Sequence, residues 1–232
     1  RSRSDSMILV TLNPKKNAIQ MTSFMRDMYV SIPGYSAHKM NSAFAWGGFS
    51  LLNETVKENF GITVDGNFAV DFDSFIDVID TIGGVDIHLT SSEAYYLNNY
   101  FGTWCTEGMN HLNGNIALQY ARIRNIGNAD FGRTARQRNV INSIIQKCMT
   151  LSLSELNSLM ERVLPQLSTN MEKSTIMGYA AELLPMVAGI KINDSVRIPA
   201  DGTYSFSWVS GMSVLMPDFD ANRQLLMEAI YE

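Results

Sequence analysis

Residues 120–138 read YARIRNIGNADFGRTARQR and carry five arginines (Arg122, Arg124, Arg133, Arg136, Arg138) within 17 positions, against the single acid Asp130. The surrounding chain is acidic. Its 18 Lys and Arg against 23 Asp and Glu leave a formal net charge of -5. Binding to nucleic acid through bulk positive charge is therefore excluded, and any anion must be met locally by this island. Hydrophobic residues make up 46% and charged residues 18% of the 232, which describes a folded chain rather than a disordered one.

On a helical wheel, Arg133, Arg136 and Gln137 fall within about 60° of Val140 and Ile144, the apolar stripe of a helix over 133–149. Arg138 points elsewhere. Charged groups in line with a core-facing stripe cost several kcal/mol if buried alone, so they line a cleft mouth and meet an anion. With Arg133 in the first turn, the partial positive charge of the helix N-terminus adds to the same potential. Arg122 and Arg124, two apart in an extended segment, point to one side and can join. Arginine suits bidentate capture of phosphate oxygens. The competing reading is ion pairing with the chain's own acids.

Outward from this island, the patterning alternates strands and helices. Strands are expected over 7–12 and 18–24, joined by the turn residues 13–17. A helix is expected over 41–59, carrying Gly47-Gly48 and ending at Gly61. Next come a strand over 67–73, a short helix capped by Ser74 and a strand over 85–89, read as a β-α-β unit. Residues 90–113 read as loop, 114–121 as a helix, and 153–164 and 172–188 as two more helices, the first behind a Ser152-x-x-Glu155 capping box. Strands over 195–198 and 204–209 and a helix from 218 complete a single α/β domain. Cys105 and Cys148 lie in no metal-ligand spacing and are a disulfide or two unrelated thiols. No segment is apolar over the length of a membrane span. The start at Arg1, with no Met, reads as an excised soluble part of a longer protein.

Further motifs accompany the arginine island: RSRSDS at 1–6, Met25-Arg26-Asp27, His38-Lys39-Met40-Asn41, Gly47-Gly48 and Gly83-Gly84-Val85. In this order, over residues 3–150, they closely resemble the LytR-CpsA-Psr family. The likeness beyond 150 is diffuse, and 150–232 is taken as the C-terminal part of the same domain.

The resemblance implies a central mixed β-sheet flanked by helices on both faces, with an apolar tunnel for a prenyl chain. It implies a phosphotransferase on the extracytoplasmic face of a Gram-positive-type cell membrane, held there by a single N-terminal helix not present in this chain. Its substrates would be an undecaprenyl pyrophosphate-linked glycopolymer, of teichoic acid or capsular type, and a peptidoglycan acceptor. Residue by residue, it assigns Asp5 to Mg²⁺ (or Mn²⁺), a hard cation suited to oxygen ligands. Arg26 and Lys39 would bind the pyrophosphate. Arg122, Arg124, Arg133 and Gln137 would form the catalytic head-group cluster, with Asp130 as an orienting acid or base. Arg136 would bind substrate, although it and Arg138 match the R-Q-R end less decisively and a structural role stays open. The family's further Asp upstream of R-S-D has no counterpart in these residues, which leaves the metal site incomplete.

A non-catalytic polyprenyl pyrophosphate-binding or regulatory protein is the alternative. A DNA-binding regulator fits neither the charge nor the inward-facing arginines. His38, His88 and His111 lie in unrelated contexts and read as structural or surface groups. The fourteen Met residues, with Trp46, Phe49, Phe68 and Phe72, read mainly as core and secondarily as tunnel lining.

Overall fold

The computed structural model describes residues 3–127, 129–183 and 189–231. The chain forms two compact units: Arg1–Asn67 with Ala188–Glu232, and Phe68–Val187.

The first unit opens with the expected antiparallel hairpin, β1 (Ile8–Asn13) against β2 (Ala18–Phe24), with Asn13 opposite Ala18. Every residue of β2 is buried, including Gln20, Thr22 and Ser23. Burying an amide requires a partner, and Gln20 donates to the Asp194 carbonyl at 2.9 Å. The short strands β3 (Tyr29–Val30) and β4 (His38–Lys39) pair antiparallel and lead into α1 (Asn41–Phe60). The glycine pair breaks that helix, because Gly48 adopts φ 65°, ψ -147°, a conformation essentially restricted to glycine. Gly61 caps its end, donating to the Lys57 carbonyl at 2.9 Å.

In the second unit β5 is only Phe68–Ala69, and the helix after it, α2 (Phe72–Thr81), is capped by Asp71, whose side chain accepts from the Ser74 amide. Ser74 is thus the capped residue and not the cap. Strand β6 (Val85–Leu89) stands as expected. Residues 90–113 are not loop. Thr90 and Glu93 form a capping box that starts α3 (Ser91–Phe101), and β7 (Gly108–Leu112) pairs antiparallel with β6. The β-α-β reading fails with it, since β5 pairs instead with β8 (Ser168–Thr169).

Helices α4 (Gly114–Arg122), α5 (Ala129–Cys148), α6 (Leu153–Val163) and α7 (Lys173–Leu183) complete this unit. The Ser152 capping box forms as read. The tail expected for the helix over 172–188 lies outside the described residues. Gly114 is required by packing, since a Cβ there would sit 2.3 Å from the Ile76 carbonyl oxygen of α2. Ile79, Val85, Ile87, Leu97, Tyr120 and Val140 belong to one buried cluster.

The chain then returns to the first unit. Here β9 (Lys191–Ile192) and β10 (Val196–Ile198) both run parallel to β2, with Phe24 opposite Ile198. Antiparallel β1 and parallel β9 and β10 make this the expected mixed sheet. Strands β11 (Tyr204–Val209) and β12 (Met212–Pro217) form a second hairpin, turned at Ser210-Gly211 with positive φ at both residues. The last helix, α8 (Phe219–Tyr231), buries Asn222, Leu226 and Ile230.

Candidate functional site

The chain turns sharply where β2 ends. The Met25 amide donates to the Ile198 carbonyl at 2.8 Å and the Asn41 amide to the Arg26 carbonyl at 3.2 Å. This backbone frame sets Arg26 and Asp27 beside Lys39 of β4. Lys39 Nζ lies 2.7 Å from Asp27 Oδ1, and Arg26 Nε lies 3.3 Å from Asp27 Oδ2. Arg26 also pairs with Asp5 through Nη1. Of the residues expected at the pyrophosphate, Asp5, Arg26 and Lys39 are therefore brought together. Asp27 is the group the reading left without a role. It joins both cations, and its only signal in the sequence was its place beside Arg26.

Asp5 is the most exposed member, its side chain retaining 54% of its accessible surface. No three His, Cys, Asp or Glu side chains converge on a metal among the described residues. A Mg²⁺ ion commonly takes one or two carboxylates and completes its shell with water and substrate phosphate. Asp5, open to solvent, offers one carboxylate of that kind, whereas both oxygens of Asp27 are engaged by Lys39 and Arg26.

Next to this cluster, His38 accepts from or donates to Ser42 through Nδ1 at 2.7 Å and packs on Trp46 with ring centroids 5.0 Å apart. Burial, ahead of the charges on Arg3 and Lys39, lowers its pKa and favours the neutral ring. Ser42 is fully buried, so this pair offers no hydroxyl to a substrate.

In the second unit the arginine island is built differently from its extended reading. Arg122 is the last residue of α4. Its guanidinium lies over the Phe72 ring, 4.6 Å from the centroid. That contact holds the cation while leaving its N–H donors to solvent. Helix α5 begins at Ala129, four residues earlier than expected, and Asp130 occupies the first turn. An acid there complements the helix dipole, so Arg133 stands one turn further in, away from the unfavourable end.

Asp130 is the hub. Its Oδ1 lies 3.0 Å from Arg133 Nη1 and 3.6 Å from Arg124 Nε. Arg133 is buried, whereas Arg124 is exposed. Gln137, one turn beyond Arg133, has a buried Oε1 with no hydrogen-bond partner among the described residues.

Arg136 departs from its expected substrate-binding role. It is 6% exposed. Its Nε donates to Glu93 Oε1 at 2.7 Å, Nη1 to the Ile123 carbonyl at 3.2 Å and Nη2 to the Ile126 carbonyl at 3.1 Å. The anion it meets is the protein's own. Arg136 therefore fixes the backbone that carries Arg124, with all three nitrogens engaged. Arg138, which the wheel set off the apolar stripe, is also buried. Glu93, hidden in a segment read as loop, is the second residue the sequence reading missed, and Thr90-x-x-Glu93 was the signal available.

Cys105 and Cys148 are free thiols, and burial raises the pKa of Cys148. No described helix is long and apolar enough to cross a membrane.

The profile described as the LytR_cpsA_psr family matches residues 1–228. The chain is 35% identical over 177 residues to the polyisoprenyl-teichoic acid--peptidoglycan teichoic acid transferase TagV of Bacillus subtilis (strain 168), covering 73% of this chain and 45% of that protein. The crystal structure of B. subtilis TagV superposes with a TM-score of 0.78 at 30% identity, covering 99% of this chain and 90% of that one. A structure described as TagT bound to LIIa-WTA gives 0.79 at 27% identity, with 98% and 86% covered. The chain spans 45% to 65% of the length of the first curated relatives it matches. The family profile covers the arginine island, the Arg26 cluster and both units together, and the chain belongs to the LytR-CpsA-Psr family.

Proposed function

We propose that this chain is the catalytic region of a phosphotransferase that moves a glycopolymer from an undecaprenyl pyrophosphate carrier to peptidoglycan, outside the cell membrane and dependent on Mg²⁺. The observation that carries the proposal is the pair of exposed guanidiniums held from below, Arg122 by the Phe72 ring and Arg124 by Asp130. Such cations keep donors available to phosphate oxygens while their carbon stems are fixed. The names of the relatives, polyisoprenyl-teichoic acid--peptidoglycan teichoic acid transferases of Bacillus species, support the same reaction class and favour teichoic acid over capsular polysaccharide.

In this reading an acceptor hydroxyl attacks the sugar-linked phosphorus. The bond to the bridging oxygen breaks, undecaprenyl phosphate leaves with the electron pair, and the hydroxyl proton passes to solvent or to the leaving phosphate. Arg122 and Arg124 stabilise the charge on the phosphoryl oxygens, while Arg133, buried against Asp130, braces that acid from inside the fold. Asp130 orients two of these guanidiniums, which makes it a positioning group. Arg26 and Lys39 hold the pyrophosphate, and Asp27 keeps them in register. Asp5 is the residue that would hold a Mg²⁺ ion, which would supply further positive charge to phosphate oxygens.

The test is to purify the protein, seek co-purified polyprenyl phosphates by mass spectrometry, and assay Mg²⁺-dependent transfer from a lipid-pyrophosphate donor. Arg122→Ala and Arg124→Ala should each lower transfer by about 10²-fold, the loss expected for one charge-stabilising donor. Absence of bound lipid together with undiminished transfer in both variants would refute the reading.

A further inference from the structure

A second feature of the Phe68–Val187 unit lies outside the arginine island. Trp104 is 97% exposed, almost the full surface of the free side chain. Its loop is nonetheless rigidly built. Asn98 donates to the Cys105 carbonyl at 2.9 Å and accepts from the Cys105 amide at 2.8 Å and from the Thr103 hydroxyl at 2.7 Å. Gly102, the left-handed cap of α3, donates to the Asn98 carbonyl at 3.1 Å. A side chain presented by a pre-ordered loop spares the cost of ordering that loop on binding, and Phe101, itself 44% exposed, lines the same groove as Trp104, so that the two aromatics form an adjoining exposed apolar pair of the kind that marks an interaction site.

Trp104 borders a shallow open groove of about 520 Å³, whose wall also contains Phe101, His111, Asn113, Asn115 and Gln119. Asn115 and Gln119 are one turn apart on α4 and share a face. The lining is therefore aromatic and planar-amide, with the aliphatic Leu112 and Ile116 among it, and it contains no Asp, Glu, Lys or Arg. That combination matches a ligand with apolar faces and many uncharged hydrogen-bonding groups.

Charge decides between possible occupants. No Lys or Arg occurs between Lys57 and Arg122, a stretch that contains nine acids, among them the exposed Asp86 and Glu107. An anionic bilayer surface is met by Lys and Arg, and a polyanionic polymer would be repelled by the same stretch. We propose that this groove binds an uncharged glycan strand of N-acetylhexosamine type, its sugar faces stacked on Trp104 and its acetamido and hydroxyl groups bonded by Asn115 and Gln119. Its use for holding the acceptor glycan rests on the phosphotransfer proposed above, whereas the binding itself does not.

The experiment titrates the whole chain calorimetrically with chitotetraose, a soluble run of four N-acetylglucosamine units, and sediments it with peptidoglycan stripped of teichoic acid. Saturable binding that weakens about tenfold or more in Trp104→Ala, and also in Gln119→Ala, is expected. The unfolding midpoint of Trp104→Ala should stay at the wild-type value, because the ring is free of packing. No saturable binding, or equal binding by Trp104→Ala, would overturn the proposal. So would Trp104-dependent sedimentation with phosphatidylglycerol vesicles in place of glycan. No lipid donor enters this titration, so its failure and a failed transfer assay report on separate claims.

Discussion

Arg136 and Glu93 form an ion pair in which both side chains retain less than a tenth of their accessible surface. Replacing Arg136 by Met leaves the Glu93 carboxylate buried without its cation and takes the donors from the Ile123 and Ile126 carbonyls. Losing one partner of a buried pair costs about 3–5 kcal/mol, a large share of the roughly 5–15 kcal/mol that holds a typical domain. At a urea dependence of about 2 kcal/mol per molar, the midpoint falls by about 2 M.

Glu93→Gln isolates the charge, because Gln serves the capping box with Thr90 as Glu does. It should cost about 3 kcal/mol, since the guanidinium is left with neutral acceptors only. The double variant leaves no buried charge, so its loss should fall short of the summed single losses by about 2 kcal/mol. Urea unfolding of the four proteins gives this coupling directly. Single losses below about 1 kcal/mol, or additivity within about 0.5 kcal/mol, would refute the assignment of Arg136 as the clamp on residues 123–126.

Gly48→Ala should lower stability by at least about 1–3 kcal/mol in thermal unfolding, because its backbone conformation is nearly closed to L residues. Asp27→Asn should reduce transfer markedly while costing less than about 1 kcal/mol of stability, as expected for a partly exposed ion-pair partner. His38 has a pKa below its ordinary 6.5 in the folded chain, so the unfolded chain binds more protons just below pH 6.5. Unfolding free energy should therefore fall as pH drops through that window, and His38→Gln should flatten the fall. With its thiol pKa raised by burial, Cys148 should alkylate more slowly with iodoacetamide than Cys105 at pH 8, as read by peptide mass spectrometry.

Local signals carried much of the architecture. The turn chemistry at 13–17, the glycine cap at Gly61 and the Ser152 capping box placed β1, β2 and the ends of α1 and α6, because each depends on contacts within a few residues. Density of charge along the chain singled out Arg122 to Arg138, and family motifs singled out Asp5, Arg26 and Lys39. The segment 90–113 was misread although its capping box was present, since its helix carries aromatic and Asn residues that lack a clear 3.6-residue apolar period.

Other features depend on partners remote in sequence. Strand β2 is buried throughout because β9 and β10 arrive about 170 residues later to flank it, and no local pattern specifies that parallel pairing. The arginines are sorted in the same way. Their density along the chain pointed to an anion met locally, yet arginines two to nine positions from the next have identical local chemistry. Only the packed structure buries Arg136 against Glu93, sets Arg133 and Arg124 on Asp130, and leaves Arg122 on the Phe72 ring. A buried charge takes whatever counter-charge the fold brings within reach, and for Arg136 that is Glu93, 43 residues away on another helix.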